Sequence, residues 1–356
     1  MNNVNKILIV LVAGFTILSC NSESEKSSEG KNSKKEKNSG KDSTDDEKLL
    51  HQINLKIRRD PNNPVFYNER AYFYFTRGEM EEALNDVNRC LKLDSTVADF
   101  YITKGDIYFA QLKAEDAKNE FEKAKNIDPF SYKADLKLSK LYLYLRNYGK
   151  SMDYVNAALK LDKHIAEGYF IKGSIYEEMR DSSKAASSFQ TAIEQDPDYY
   201  DAYIRLGLLY SKLPKRNKKR ALAYDYYNSA IDIRPEQIEA HYNKAIYCQE
   251  NDMPDEALEE YDKIIAISPK YDDAWFNKGF VYLVYKNEYN LAIDFFTKAV
   301  ELNPKNYGAF HNRGLAWLKL KDIQRAKADF KTALQINPQY DLSAIELDNL
   351  DKGKID

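Results

Sequence analysis

The chain has 356 residues, with 13 Gly and 10 Pro against 28 Tyr and 16 Phe, and its 53 Lys and Arg nearly balance 56 Asp and Glu for a net charge of −3. Sparse turn formers beside abundant rings suit an all-helical protein with aromatic packing, and near-neutrality excludes the broad positive field that nucleic-acid binding relies on. Cys20, Cys90 and Cys248 stand far apart with no CxxC or metal-ligand spacing, which excludes a disulfide or zinc framework.

Residues 1–19 read as a secretory signal peptide: Lys6, then the apolar run Ile7 to Leu18, then Ser19 before Cys20. The run is too short to span a bilayer, which takes about 20 apolar residues. Ile17-Leu18-Ser19-Cys20 resembles the lipobox of bacterial lipoproteins, although Leu18 is bulkier than the small residue usual at that place. The resemblance implies cleavage before Cys20 and attachment of fatty chains such as palmitate to its thiol and amine, so that the membrane becomes a partner through the anchor. Asn21 after the cysteine, rather than Asp, implies by the same likeness the outer membrane of a bacterial cell envelope. Residues 20–47 carry no Val, Ile, Leu, Met or aromatic side chain. Such a segment buries too little to order itself and is expected to be a tether spanning on the order of 30 Å.

Residues 48–63, with Leu49 to Ile57 ahead of Asp60-Pro61, are expected to form an N-terminal capping helix. From Pro64 the chain repeats with a period of 34 residues, in eight units at 64–97, 98–131, 132–165, 166–199, 200–237, 238–271, 272–306 and 307–340. Small residues recur at the eighth place of each unit (Ala71, Gly105, Ser139, Gly173, Gly207, Ala245, Gly279, Gly314) and at the twentieth (Ala83 through Ala326). Bulky ones recur at the eleventh (Tyr74 through Trp317) and the twenty-fourth (Val87, Phe121, Val155, Phe189, Tyr227, Tyr261, Phe296, Phe330). This is the stripe that two antiparallel helices need to approach closely. Proline at the thirty-second place, as in Pro129, Pro197, Pro235, Pro269, Pro304 and Pro338, ends the second helix. Cys90 and Cys248 fall on apolar places and are expected in the core. The fifth unit carries four extra residues and the seventh one, both expected between the two helices, and 341–356 reads as a closing helix and tail.

These places resemble the tetratricopeptide repeat family over Pro64 to Tyr340. The resemblance implies an all-α, right-handed superhelical solenoid of eight helix-turn-helix units with a capping helix at each end. It also implies that the fifth, ninth and twelfth places face a concave groove in which a protein or peptide partner lies. At those places stand Tyr72, Phe75, Phe109, Leu136, Phe170, Ile204, Tyr242, Ile246, Phe276, Phe280, Leu283, His311, Leu315 and Leu318, an unusually apolar set expected to be densest at Phe276, Phe280, Leu283, Leu315 and Leu318. The paired Lys and Asn with which some members clamp a C-terminal carboxylate are not reproduced.

Acids at the second place, Asp99, Glu167, Asp201, Glu239 and Asp273, sit where carboxylates favour a helix N-terminus, and the basic stretch Lys212 to Arg220 reads as a solvated loop. Only His51, His164, His241 and His311 are available as imidazoles, they are scattered, and no catalytic motif accompanies them. No enzyme, cofactor, metal, nucleic acid or small-molecule substrate is therefore expected. The expected function is a membrane-anchored scaffold or adaptor in an envelope assembly, with a transient chaperone-like or pilotin-like carrier of an apolar client segment as the alternative.

Overall fold

The computed structural model describes residues 42–353, so the signal peptide, Cys20 and the segment up to residue 41 lie outside the described residues. Every element among the described residues is helical. Helix α1 (Asp42–Arg59) begins inside the 20–47 segment expected to be a tether. Asp, Ser and Thr at its start are residues that favour a helix N-terminus. Contacts divide the chain into two compact units, residues 1–52 and 53–356, and the second holds every hairpin.

In that second unit helices pair in sequence. The hairpins are α2 (Pro64–Thr76) with α3 (Met80–Leu93), α4 (Ala98–Ala110) with α5 (Ala114–Ile127), α6 (Tyr132–Tyr144) with α7 (Tyr148–Leu161), and α8 (Ala166–Glu178) with α9 (Ser182–Gln195). They continue as α10 (Tyr200–Ser211) with α11 (Leu222–Ile233), α12 (Ile238–Glu250) with α13 (Pro254–Ile267), α14 (Asp272–Val281) with α15 (Tyr289–Leu302), and α16 (Tyr307–Lys319) with α17 (Ile323–Ile336), before the closing α18 (Asp341–Asp351). Each helix packs on its hairpin partner and on the next helix in the chain.

The eighth and twenty-fourth places set the separation within a hairpin. A Cβ on Gly105 would lie 2.4 Å from the Phe121 ring, and one on Gly207 2.4 Å from the Tyr227 ring, so the ring occupies the space that the missing side chain leaves. Where the small residue is Ala71 or Ser139, the partner shrinks to Val87 or Val155. In the third unit the two hydroxyls also cross: Ser139 Oγ donates to the Ser151 carbonyl and Ser151 Oγ to the Ser139 carbonyl, each at 2.8 Å. The sixth unit keeps Ala245 beside the fully buried Tyr261, whose hydroxyl donates to Gln249.

A second periodic feature is ionic. The seventh place is a cation in most units, and in four of them it reaches an acid sixteen residues on, in the second helix of its own hairpin. The pairs are Arg70–Asp86 at 2.7 Å, Lys104–Glu120 at 3.8 Å, Lys244–Glu260 at 2.8 Å and Arg313–Asp329 at 2.8 Å. Seventh-place cations also reach backward by sixteen residues, from Arg70 to Asn54, Lys172 to Asn156, Lys278 to Asp262 and Arg313 to Thr297. Arg70 and Arg313 do both, so each bridges its own second helix to the helix before its hairpin.

The extra residues sit where the helices of a unit join. In the seventh unit a π-helical turn, Tyr282–Lys286, absorbs the insertion and ends in left-handed Asn287. In the fifth, a 3₁₀ turn, Lys218–Ala221, precedes α11, and the buried Arg220 fastens the loop. Its guanidinium donates to the carbonyls of Ser211 and Leu213, to Asn251 and to Glu250. Arg220 is therefore a structural member of the basic stretch, while Lys212, Lys215, Arg216, Lys218 and Lys219 are exposed.

Candidate partner-binding site

First helices touch one another across units, α2 with α4, α4 with α6, α6 with α8 and α10 with α12. They therefore form the inner side of the stack, and their fifth, ninth and twelfth places line it. Burial differs sharply along that lining. Tyr72 is 58% exposed, whereas Phe75, Phe109, Phe170, Tyr242, Ile246, Phe276, Leu315 and Leu318 are half-buried and Leu136, Ile204, Phe280, Leu283 and His311 are buried.

The expectation of a dense open patch around Phe276, Phe280 and Leu283 is thus corrected. Phe276 packs on Phe296 with ring centroids 5.7 Å apart, Phe280 on Tyr285 at 6.4 Å, and Leu315 and Leu318 join the Phe330 and Leu350 cluster. A fifth-place side chain points at the junction with the next unit, so its area is removed from water by the fold itself: Phe170 meets Tyr199 at 5.2 Å, and Tyr242 meets Tyr271 at 6.1 Å. His311 is corrected in the same way. Its Nδ1 lies 2.9 Å from Ser343 Oγ and its ring between Phe330 and Tyr340, so it seats the closing helix. Burial lowers its pKa to about 4. What stays open on the inner side lies toward the first units, where Tyr72 neighbours Phe75 at 6.2 Å and Phe109 meets Tyr144 edge-on at 5.3 Å.

Charge runs beside these rings. Asp106 pairs with Lys137 at 2.7 Å, and Lys140 pairs with Glu167. Further along, the balance tips negative. Surrounding protein raises the Glu239 carboxyl pKa and Asp201 raises it further, with Arg205 opposing, while burial and then Asp272 raise Asp273. Both carboxylates remain solvent-accessible. Among the described residues neither carboxylate makes an ion pair, an arrangement that favours an incoming Lys or Arg.

No group of His, Cys, Asp and Glu among the described residues could hold a metal ion, and no helix among them is long and apolar enough to cross a membrane. Cys90 and Cys248 are buried free thiols whose pKa burial pushes up to about 12, which disfavours the thiolate. His241 lies buried between Glu260, 2.5 Å from Nδ1, and the Pro235 carbonyl, 2.9 Å from Nε2. That bond to the carbonyl six residues back is periodic: Tyr67 makes it to Pro61, Tyr101 to Ser95 and Trp275 to Pro269. Fourth-place rings of different chemistry perform one task, an N–H or O–H capping the end of the preceding second helix. His241, one of four imidazoles scattered in the sequence, thus has a carboxylate partner nineteen residues away that spacing alone does not reveal.

Models of the tetratricopeptide repeat match residues 65–96, 98–131, 166–199, 272–306 and 308–340. Among curated proteins the chain is 26% identical over 156 residues to a BBSome complex member of Bos taurus, covering 44% of this chain and 29% of that protein. It is 30% identical over 119 residues to tetratricopeptide repeat protein 6 of Homo sapiens, covering 33% and 22%. The chain thus spans less than a third of the length of these relatives. Among solved structures, the C-terminal part of a repeat-containing protein from Cytophaga hutchinsonii superposes with a TM-score of 0.57 at 18% identity, covering 68% of this chain and 98% of that one, a likeness of fold.

Proposed function

The chain belongs to the tetratricopeptide repeat family, and on that premise we propose that it is a scaffold that holds a protein partner along the inner side of its stacked hairpins. The observation that carries this is the unequal finish of the lining. Packing takes up most of its apolar residues, yet Tyr72, Phe75 and Phe109 keep accessible ring surface and the accessible Glu239 and Asp273 make no ion pair among the described residues. The ligand that fits is an extended or helical segment with apolar residues toward the first units and Lys or Arg toward the sixth and seventh. Anchorage by an acylated Cys20 in a bacterial cell envelope, at the outer membrane, belongs to the same proposal and rests on the lipobox-like Ile17 to Cys20.

In-cell photo-crosslinking tests it. Probes at Tyr72, Phe109 and Leu318 are expected to capture one discrete protein that probes at the outward Lys298 and Lys331 miss; capture at neither face, or of this chain alone, removes the scaffold reading. Incorporation of an alkynyl fatty acid that Cys20→Ser abolishes tests the anchor, and incorporation that persists in that variant refutes it.

A further inference from the structure

The turns that join the two helices of four hairpins, the second, third, fourth and eighth, share a composition that packing does not require. In Leu112-Lys113, Leu145-Arg146, Met179-Arg180 and Leu320-Lys321 a large apolar residue is followed directly by a cation. The apolar member stands open, 65%, 48%, 54% and 39% exposed respectively, and Tyr144 beside Leu145 is exposed too. One residue of each pair has a left-handed backbone: Leu112 at φ 60°, Arg146 at 55°, Arg180 at 62° and Lys321 at 62°. The first unit places Gly78 there and the seventh Asn287, residues that suit such a conformation. Side chains with long apolar or cationic reach are thus held at the tips against local backbone preference, a pattern that points to use.

Helices in a hairpin are antiparallel, so all these turns lie along one edge of the stack, and the links between hairpins lie along the other. The enlarged turn of the fifth unit belongs to the first edge. Among the described residues, Arg146, Arg180, Lys212, Arg216, Lys218 and Lys219 are exposed and make no ion pair. Acids on that edge are mostly engaged: Glu115 with Lys118 at 2.6 Å, Asp181 with Lys184 at 2.9 Å and Glu177 with Arg205 at 3.5 Å. The opposite edge is the reverse, with Asp94, Asp128, Asp162, Asp196 and Asp198 in its links. Its most exposed ring, Phe130, stands next but one to Asp128. Cations at the ends of first helices suit the helix dipole, but that does not account for exposed Leu and Met beside them.

We infer that the hairpin-turn edge of the second to fifth units is a contact surface for a bilayer rich in anionic lipid. The apolar tips enter the boundary between headgroups and acyl chains, and the unpaired Arg and Lys bind lipid phosphates. A bilayer offers both the acyl boundary that apolar tips enter and the phosphates that cations bind. This surface does not depend on the scaffold reading, which concerns the inner side.

Lipid-borne quenching in the full chain tests it, with Cys20→Ser so that only the introduced thiol is labelled, Cys90 and Cys248 being buried. Fluorophores are placed at Ser183→Cys on the turn edge and at Lys163→Cys on the opposite edge, and vesicles carry brominated phosphatidylglycerol in phosphatidylcholine. Attachment through the N-terminal apolar run alone favours neither edge. The expected result is about fivefold stronger quenching at Ser183→Cys than at Lys163→Cys, lost in pure phosphatidylcholine as the charge contribution requires. It is also expected to be lost in Leu145→Ser/Arg146→Gly/Met179→Ser/Arg180→Gly. Should that variant misfold by circular dichroism, Arg146→Gln/Arg180→Gln replaces it. Equal quenching at both edges, a contrast that persists without phosphatidylglycerol, or a contrast the variant retains overturns the proposal. Capture of polyglutamate without lipid-dependent quenching also overturns it and assigns the edge to an acidic protein.

Discussion

At the scale of single residues, the hairpins work by exchange of volume between two places. Gly105→Ala drives a methyl group into the Phe121 ring and is expected to cost about 1–3 kcal/mol, as overpacking does. Adding Phe121→Val, the pairing that Ala71 and Val87 already use, is expected to recover part of that loss, so the double variant is more stable than the sum of the single effects. Urea denaturation of the four proteins measures the coupling; strict additivity would show that the two places do not exchange volume. This feature was open to view in the sequence, since both residues recur at fixed places and their sizes vary inversely in most units. The seventh-place cations were equally periodic but went unread, because their acids lie sixteen residues away, beyond the three or four residues over which helical ion pairs are usually sought.

At the scale of elements, two joints respond to acid for different reasons. Burial alone would raise the Glu260 carboxyl, but hydrogen bonds from His241, Lys244 and Lys263 overcome it and hold the pKa at about 2, below its ordinary 4.5. A carboxyl lowered in the fold contributes stability that is present above the unfolded value and lost as pH falls through the folded one. The α12–α13 hairpin is therefore expected to lose on the order of 3 kcal/mol between about pH 4.5 and 2, and Glu260→Gln to cost a similar amount at pH 7 and little at pH 2. His311 works at milder pH. Its pKa falls from 6.5 to about 4 on burial, so the unfolded chain takes up the proton first, and stability is lost as pH drops from about 6.5 toward 4. Amide exchange in α18 is expected to quicken over that window, and His311→Gln to flatten the response; exchange insensitive to pH in the parent chain would show that the imidazole is not the link. The sequence placed His311 on the inner lining because its register matches the other fifth places, yet in the last unit the closing helix fills the position a following unit would hold.

At the scale of the whole stack, register along the chain was legible and curvature was not. Periodicity says which side chains share a face, and Phe276 and Phe280 do share one with Tyr72; it does not say how far successive first helices close over that face. Tyr72 stays open while Phe280 is buried because neighbours, not spacing, decide accessibility. The α1 boundary escaped for a related reason, since a polar segment lacking apolar residues gives no periodic signal where its helix starts.

Because each helix packs mainly on its neighbours in the chain, the stack has no distant contact that must break before others can. Pulled from its two ends in an optical trap, it should therefore behave as a compliant spring rather than a brittle clasp, giving way one hairpin at a time. Each release lengthens the chain by on the order of 10 nm, the extended reach of one repeat less its folded thickness. A single abrupt rupture of the whole array would mean that mechanical cooperativity extends well beyond the neighbours each helix touches. With the staircase, the molecule keeps some of its units seated while others are drawn out, so a load can be shared and given back as it relaxes.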